Sequence, residues 1–153
     1  MNIHEYQGKQ ILNSFGVRIQ RGIVASTPAE AVEAAKKLTE ETGTGWHVVK
    51  AQVHAGGRGK GHFKENGMQG GVKVLTEPSE VEEFAEKMLG NTLVTKQTGE
   101  EGQPCSLVLV NEGLEIESEK YFAILMDRDH NGPVMVASSE GGMDIEEFAE
   151  KML

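Results

Sequence analysis

The sequence is short of several residue types that mark whole classes of protein. It has one cysteine, Cys105, in 153 residues, which excludes an internal disulfide framework and a cysteine-rich zinc site. Aromatic residues make up 5% of the chain and leave few platforms on which nucleic-acid bases could stack. No apolar run is long enough to span a bilayer, and the N-terminal residues lack the apolar segment of a secretory signal.

Basic residues are scarce relative to acidic ones. The chain has 15 Lys and Arg against 24 Asp and Glu, a formal net charge of -9. That balance argues against nucleic acids and anionic membranes as partners. The length suits one domain or two small lobes. Glycine is the residue in excess: there are 19, about 12% of the chain, where an average protein has about 7%.

Hydrophobic periodicity, capping residues and turn residues divide the chain into helices and short strands. The pattern predicts helices over residues 3–15, 27–38, 78–90 and from 144 onward. It predicts strands over residues 17–25, 46–53, 72–75, 93–97, 107–111, 121–126 and 134–137. In the first helix the expected cap is Asn2, and the expected apolar stripe is Ile11, Leu12 and Phe15. This order indicates an α/β (α+β) fold with mixed sheets rather than a regular βαβ array.

One window has the composition of an anion site. Between Gly43 and Lys64 there is no acidic residue, although the chain as a whole is acidic. Within it, the glycines of 55–61 allow backbone N–H groups to converge on phosphate oxygens. Arg58 can contact a phosphate through two donors, and Lys50 supplies a point charge from a predicted strand. Composition alone is equally compatible with a surface turn.

Other candidate sites are weaker. His47, His54 and His62 are too scattered to predict a metal site. Cys105 has no base beside it in the sequence, so a catalytic thiolate is not expected. The run of acidic residues from Glu112 to Glu119 fits a solvated face as well as a ligand site. We therefore predict no catalytic residue and no metal ligand within the chain.

The run Lys50–Lys60 reads KAQVHAGGRGK and resembles the β subunit of succinyl-CoA synthetase (succinate–CoA ligase). Residues 3–7, 93–99 and 140–146 resemble the same family, in the family's order. The resemblance implies an ATP-grasp fold, in which two mixed sheet-helix lobes hold a nucleotide between them. It implies one lobe at residues 21–111, with residues 1–20 and 112–153 forming part of a second, incomplete lobe.

The resemblance also implies an activity and a partner. With an α subunit, in a heterodimer or heterotetramer, the family interconverts succinyl-CoA, phosphate and GDP or ADP with succinate, CoA and GTP or ATP. The phosphoryl group is carried on a histidine of the α subunit, so none of the histidines here is the expected carrier. The Mg²⁺ ligands, an Asn and an Asp, are expected beyond Leu153. Because the chain also ends within a predicted helix, we expect it to be a fragment that is inactive alone.

Site residues follow from the same resemblance, position by position. The phosphate-binding residues are expected to be Lys50, Gly57, Arg58 and Gly59. Leu114 is expected to contact the base from the hinge 111–114, and Glu119 is expected to contact the ribose. Gln20 stands where the GTP-type mitochondrial form has glutamine, and its amide could pair with a guanine edge.

The choice of branch and activity has alternatives. Gln20 and the insert at 61–70 favour the GTP-type form of the mitochondrial matrix; the alternative location is the bacterial cytoplasm. Alternative activities are a related acyl-CoA ligase, of the malate–CoA ligase or ATP-citrate lyase type. The non-catalytic alternative is an interaction module that binds an anionic partner through its glycine loop.

Overall fold

The computed structural model describes residues 3–141. It divides into two compact units, Met1–Leu114 and Glu115–Leu153. The predicted helix from Asp144, which contains the second copy of the segment EEFAEKML, lies outside the described residues, as does Asn2. No helix in the described range is long and apolar enough to cross a membrane. The predicted lobe boundaries, 21–111 against 1–20 with 112–153, stay a prediction.

The described residues form three α-helices and nine strands. The helices are α1 (Glu5–Ser14), α2 (Pro28–Thr42) and α3 (Pro78–Met88). The strands are β1 (Gly22–Ala25), β2 (His47–Ala51), β3 (His62–Phe63), β4 (Val72–Leu75), β5 (Thr92–Val94), β6 (Gln103–Pro104), β7 (Val108–Glu112), β8 (Tyr121–Asp127) and β9 (Gly132–Ser138). All three predicted helices in this range are confirmed. The two-residue strands β3 and β6 were not predicted, because they are too short to show a period of two.

The first unit is built on a four-stranded antiparallel sheet with the order β1-β7-β2-β4. Because side chains alternate along a strand, one face carries buried apolar residues and packs against α2 and α3. Those residues include Val49, Ala51, Val108 and Val110 from the sheet, and Ala31, Ala35, Leu38, Val81, Ala85 and Met88 from the helices. Lys50 lies on the opposite face of β2, away from this core.

A second, small sheet of the order β3-β5-β6 holds the glycine-rich loop in place. The loop connects β2 to β3, and Phe63 and Leu93 are fully buried beneath it. Gly61 lies against this sheet so closely that a Cβ there would be 2.5 Å from the carbonyl oxygen of Val94. The position therefore admits only glycine without movement of the backbone.

The start of α1 differs from the sequence prediction, and its apolar stripe is not buried. The helix is capped by His4, whose backbone N–H donates to the Gln7 side chain at 2.8 Å, and not from position 2. The predicted stripe of Ile11, Leu12 and Phe15 is exposed, and Phe15 is 82% accessible. The helix has no buried residue, so polar contacts at its first turns fix it to the sheet.

The second unit, over its described residues, consists of the antiparallel hairpin β8–β9 and the segment that precedes it. The pairing runs from Tyr121 opposite Ser138 to Asp127 opposite Gly132. Asn131 adopts a positive φ of 54° in the turn, which Asn tolerates better than most residues. One face of the hairpin exposes Phe122, Ile124, Met126 and Met135.

Candidate functional site

Lys50 extends from the sheet face opposite the core. Its strand neighbours alternate in burial, so that Val49 and Ala51 point into the core and Lys50 points outward. The ammonium group lies 3.2 Å from Oε1 of Glu5, in the first turn of α1. Because β2 is an interior strand, paired on both sides, the base of this side chain is firmly placed.

Arg58 reaches the same point from the glycine-rich loop. Gly57 adopts a left-handed conformation with φ 71°, and Arg58 then begins a single 3₁₀ turn that ends at Lys60. The guanidinium donates from Nη1 to the carbonyl oxygen of Ala51 at 2.6 Å. It also donates from Nη2 to Oε2 of Glu5 at 2.7 Å. The two bonds hold the planar guanidinium at the end of β2.

Glu5, Lys9, Lys50 and Arg58 therefore form one group, the Glu5 cluster. Lys9 joins through its ammonium group, 3.0 Å from Oε1 of Glu5. All four side chains are about one-fifth exposed. Three cations surround one carboxylate, so the cluster has excess positive charge in a partly desolvated place, where charge interactions are stronger than in water. Such a group favours a further anion.

The pKa of the Glu5 carboxyl group shows how strongly the three cations stabilise its charge. Burial alone would raise the pKa of its carboxyl group, but Lys50, Arg58 and Lys9 together lower that pKa to about 2. Sequence reasoning missed both Glu5 and Lys9 as site residues. Their spacing of four residues on a predicted helix was the available signal, but it is common on exposed helix faces.

The backbone beside Arg58 adds neutral donors. Over the described part of the chain, the N–H groups of Gly57, Arg58 and Gly59 donate to no protein carbonyl. A left-handed residue followed by a right-handed one turns successive N–H groups toward a common point, as in anion-binding nests. A depression of about 350 Å³ lies here and is lined by Arg58, Glu5, His54, Gly56 and Gln97, among others.

A larger cleft of about 890 Å³ lies near the far end of α1 and contains two predicted base-contacting residues. Gln20 and Leu114 both line it, together with Glu112. The Gln20 amide donates to the carbonyl oxygen of Glu112 at 2.7 Å and accepts from Lys9 at 3.2 Å. Lys9 thus links the Glu5 cluster to this cleft.

The hinge around Leu114 is held by two non-local contacts. Asn111 is fully buried, and its amide donates to the carbonyl oxygen of Arg21 at 2.9 Å. Gly113 donates to the carbonyl oxygen of Trp46 at 2.9 Å, and a Cβ on Gly113 would overlap the indole ring. Asn111 is therefore a structural residue here, while Leu114 is 44% exposed and available to a ligand.

Six of the seven predicted site residues thus lie in the first unit. Gln20, Lys50, Gly57, Arg58, Gly59 and Leu114 are all there, at the Glu5 cluster, its loop or the adjoining cleft. Glu119 lies in the second unit, in a shallow depression with Glu117, Glu140 and Gly141. Its role at the ribose stays a prediction.

The remaining candidate groups do not form a reactive centre. Burial raises the pKa of the Cys105 thiol to about 11, so it stays protonated at neutral pH. His4 stacks on His54 with ring centroids 4.0 Å apart, and burial, with His54 and Arg58, lowers the pKa of His4. Within residues 3–141, no group of three or more His, Cys, Asp or Glu side chains could hold a metal ion.

Comparison with known proteins identifies the family. The profile described as ATP-grasp domain matches residues 2–152. The succinate–CoA ligase (ADP-forming) subunit beta of Christiangramia forsetii is 56% identical, over 99% of this chain and 37% of its own length. The hydrogenosomal subunit of the same name from Neocallimastix frontalis is 53% identical, over 98% of this chain and 33% of its own length.

A solved structure supports the fold independently. It is the dinucleotide forming acetyl-coenzyme A synthetase 1 of Ca. Korarchaeum cryptofilum, in complex with coenzyme A, Ca-AMPCP and HgCl+. The TM-score is 0.62 at 21% identity, over 96% of this chain and 57% of the other. This likeness concerns the fold alone.

The predicted family and fold are therefore confirmed. The similar sequences favour the succinate–CoA ligase prediction over a malate–CoA ligase, an ATP-citrate lyase or a non-catalytic module. The chain spans about a third of the length of these curated relatives. Because the ATP-grasp profile matches residues 2–152 and the relatives are more than 50% identical in sequence, the chain belongs to the ATP-grasp domain family and is similar throughout to succinate–CoA ligase β subunits.

Proposed function

We propose that the chain is the nucleotide-binding part of a succinate–CoA ligase β subunit. The observation that carries this proposal is the convergence of Lys50 and Arg58, from β2 and from the glycine-rich loop, on one anionic group. An arrangement that already binds a carboxylate through two cations suits a phosphate oxygen equally well. Lys9 then leads from this point to the cleft at Leu114.

In this proposal the chain binds and orients the nucleotide. Lys50 and Arg58 hold phosphate oxygens, with the N–H groups of Gly57 to Gly59 as further donors. Leu114 contacts the base from the hinge, and Glu119 contacts the ribose. Mg²⁺, which offsets phosphate charge in phosphoryl transfer, would be held by an Asn and an Asp beyond Leu153. The lobe boundaries predicted from the resemblance, 21–111 and 1–20 with 112–153, belong to the same proposal.

The whole enzyme would contain an α subunit and interconvert succinyl-CoA, phosphate and a nucleoside diphosphate with succinate, CoA and the triphosphate. The relatives support the α-subunit partner because they are named as β subunits. They are bacterial proteins and one hydrogenosomal protein, which supports a cytoplasm or an organelle; the mitochondrial matrix is the finer prediction. Heterodimer and heterotetramer stay open predictions.

The nucleotide is proposed to be ADP and ATP. The relatives named above are all called ADP-forming, whereas the GTP-type form rests on Gln20 and the insert at 61–70. The Gln20 amide already donates to Glu112 and accepts from Lys9, so one N–H and one oxygen lone pair remain for a base edge. The GTP preference predicts tighter binding of GDP than of ADP, and the adenine proposal predicts the reverse.

The proposal is tested by calorimetric titration of the chain with ADP in the presence of Mg²⁺. Lys50→Ala and Arg58→Ala should each weaken binding by about 10- to 100-fold, the scale of one charge-assisted contact of about 1.5–3 kcal/mol. Titration with GDP in the same series decides between the two bases.

The matched control is Lys64→Ala. Lys64 lies in the same acid-free window, but its ammonium group donates to the carbonyl oxygen of Glu101 at 2.9 Å, away from the Glu5 cluster. This variant removes the same charge and should leave ADP affinity unchanged within about twofold. If all three variants lose ADP affinity equally, the loss reflects only the change in net charge. If Lys50→Ala and Arg58→Ala lose no ADP affinity, the phosphate assignment is refuted.

A further inference from the structure

Glu5 lies between the two cations that are proposed to hold a phosphate oxygen. Its Oε1 is 3.2 Å from the ammonium group of Lys50, and its Oε2 is 2.7 Å from Nη2 of Arg58. The other terminal nitrogen of Arg58 is bonded to the Ala51 carbonyl. A phosphate oxygen that bridged Lys50 and Arg58 as Glu5 does now would compete with the carboxylate for these donors.

The Glu5 carboxylate is held by three cations at once. Lys9 adds a third cation at 3.0 Å from Oε1, and the side chain of Glu5 is only 22% exposed. A ligand anion that takes this bridging position separates the carboxylate from both Lys50 and Arg58. If both anions stayed, they would repel each other at close range.

The position of Glu5 allows the exchange. It lies in the first turn of α1, and α1 has no residue in the core. Withdrawal of the carboxylate by a change of side-chain rotamer would break no contact with the core.

We infer that Glu5 is an internal competitor of the nucleotide: its carboxylate closes the phosphate site in the free protein, and polyphosphate binding displaces it. This inference rests on the proposed function. The apparent affinity for the nucleotide then equals the intrinsic affinity multiplied by the fraction of molecules in which Glu5 has left the site. The site is selective for ligands that bring enough negative charge to replace a carboxylate held by three cations.

Inorganic pyrophosphate isolates the phosphate subsite from the base, so it is the probe in the test. Glu5→Gln keeps the size of the side chain and one acceptor oxygen but removes its charge. In calorimetric titrations of the full chain, it should bind pyrophosphate about 10-fold more tightly than the unmutated chain. Glu33→Gln, which removes a carboxylate paired with Lys36 on the surface of α2, should change the affinity by less than about twofold.

The outcomes separate the two proposals. If the unmutated chain binds pyrophosphate and Glu5→Gln binds it equally or less tightly, Glu5 positions the cations instead of competing, and this inference is wrong while the proposed function stands. If Arg58→Ala and Lys50→Ala bind pyrophosphate as well as the unmutated chain does, the phosphate site itself is wrong. Absence of binding in every protein overturns both.

A second measurement of displacement uses the unmutated chain, so it does not depend on whether a variant folds. The carboxyl carbon of Glu5 can be titrated by NMR in the free chain and in the pyrophosphate complex. Displacement predicts that the pKa of this carboxyl group rises on binding, because it leaves its cations and faces phosphate charge. An unchanged, depressed pKa in the complex would show that Glu5 stays on Lys50 and Arg58, and would overturn the inference.

Discussion

At the scale of single residues, one carboxylate organises the site. Glu5 is bound by Lys9, Lys50 and Arg58, and the three cations depress its pKa to about 2 against the cost of burial. Because the unfolded chain leaves the carboxyl group near its ordinary pKa of 4.5, this difference couples folding to pH.

The sign of that coupling gives a prediction. The folded state holds Glu5 ionised, so its contribution to stability is complete above about pH 4.5 and is lost as the pH falls toward 2. The contribution is on the order of 2–3 kcal/mol. Urea unfolding of the unmutated chain and of Glu5→Gln should therefore give free energies whose difference shrinks between pH 6 and pH 3 and is lost only toward pH 2 and below.

The control for this measurement is Glu33→Gln. Glu33 and its partner Lys36 are both more than half exposed, and exposed pairs of this kind contribute little. The free energy of unfolding of Glu33→Gln should differ from that of the unmutated chain by less than about 1 kcal/mol at both pH values of the measurement. A difference for Glu5→Gln that does not shrink on acidification would show that the carboxylate is not held by the cluster.

At the scale of elements, the sequence predicted what is locally encoded. Thr27 accepts from the Glu30 N–H at 3.2 Å and Pro28 opens α2, so the beginning of this helix follows from four residues. The exposure of the apolar stripe of α1 could not be predicted, because periodicity marks such a stripe but not what covers it. The bonds of Gln20 to Glu112 and Lys9 depend on segments far apart in sequence, which no local pattern encodes.

The glycine-rich loop yields a prediction at the same scale. Gly57 has φ 71°, a conformation that costs a residue with a side chain about 1–2 kcal/mol. Gly57→Ala should lower the free energy of unfolding by that amount or, if the loop relaxes to avoid the strain, move Arg58 and weaken ADP binding. Chemical denaturation and calorimetry together measure both effects.

Gly45→Ala is the matched control. No atom lies within 4 Å of a Cβ placed on Gly45, and its φ is not in the left-handed region. We expect no loss of nucleotide affinity and a stability change within about 0.5 kcal/mol. If Gly57→Ala behaves like Gly45→Ala in both assays, the conformation of the loop does not determine the position of Arg58.

At the scale of the whole molecule, the site is a product of topology. Glu5, Lys50 and Arg58 come from a helix, an interior strand and a loop, and they meet only because α1 lies on the sheet face opposite the core. The family could be predicted from the run KAQVHAGGRGK, and Lys50 and Arg58 of this run do lie together. The pairing of Glu5 with these cations could not be predicted, because it depends on the packing of a helix that lies 45 residues earlier in the chain.

The central claim is that one nucleotide spans the Glu5 cluster and the cleft at Leu114. The measurement that tests it most directly is amide NMR of the labelled chain titrated with adenosine and then with ADP. Adenosine should shift signals of Leu114 and Gln20 alone, and ADP should shift these together with Gly57, Arg58 and Gly59. ADP shifts confined to other parts of the chain, or the same shifts with adenosine and ADP, would contradict the account.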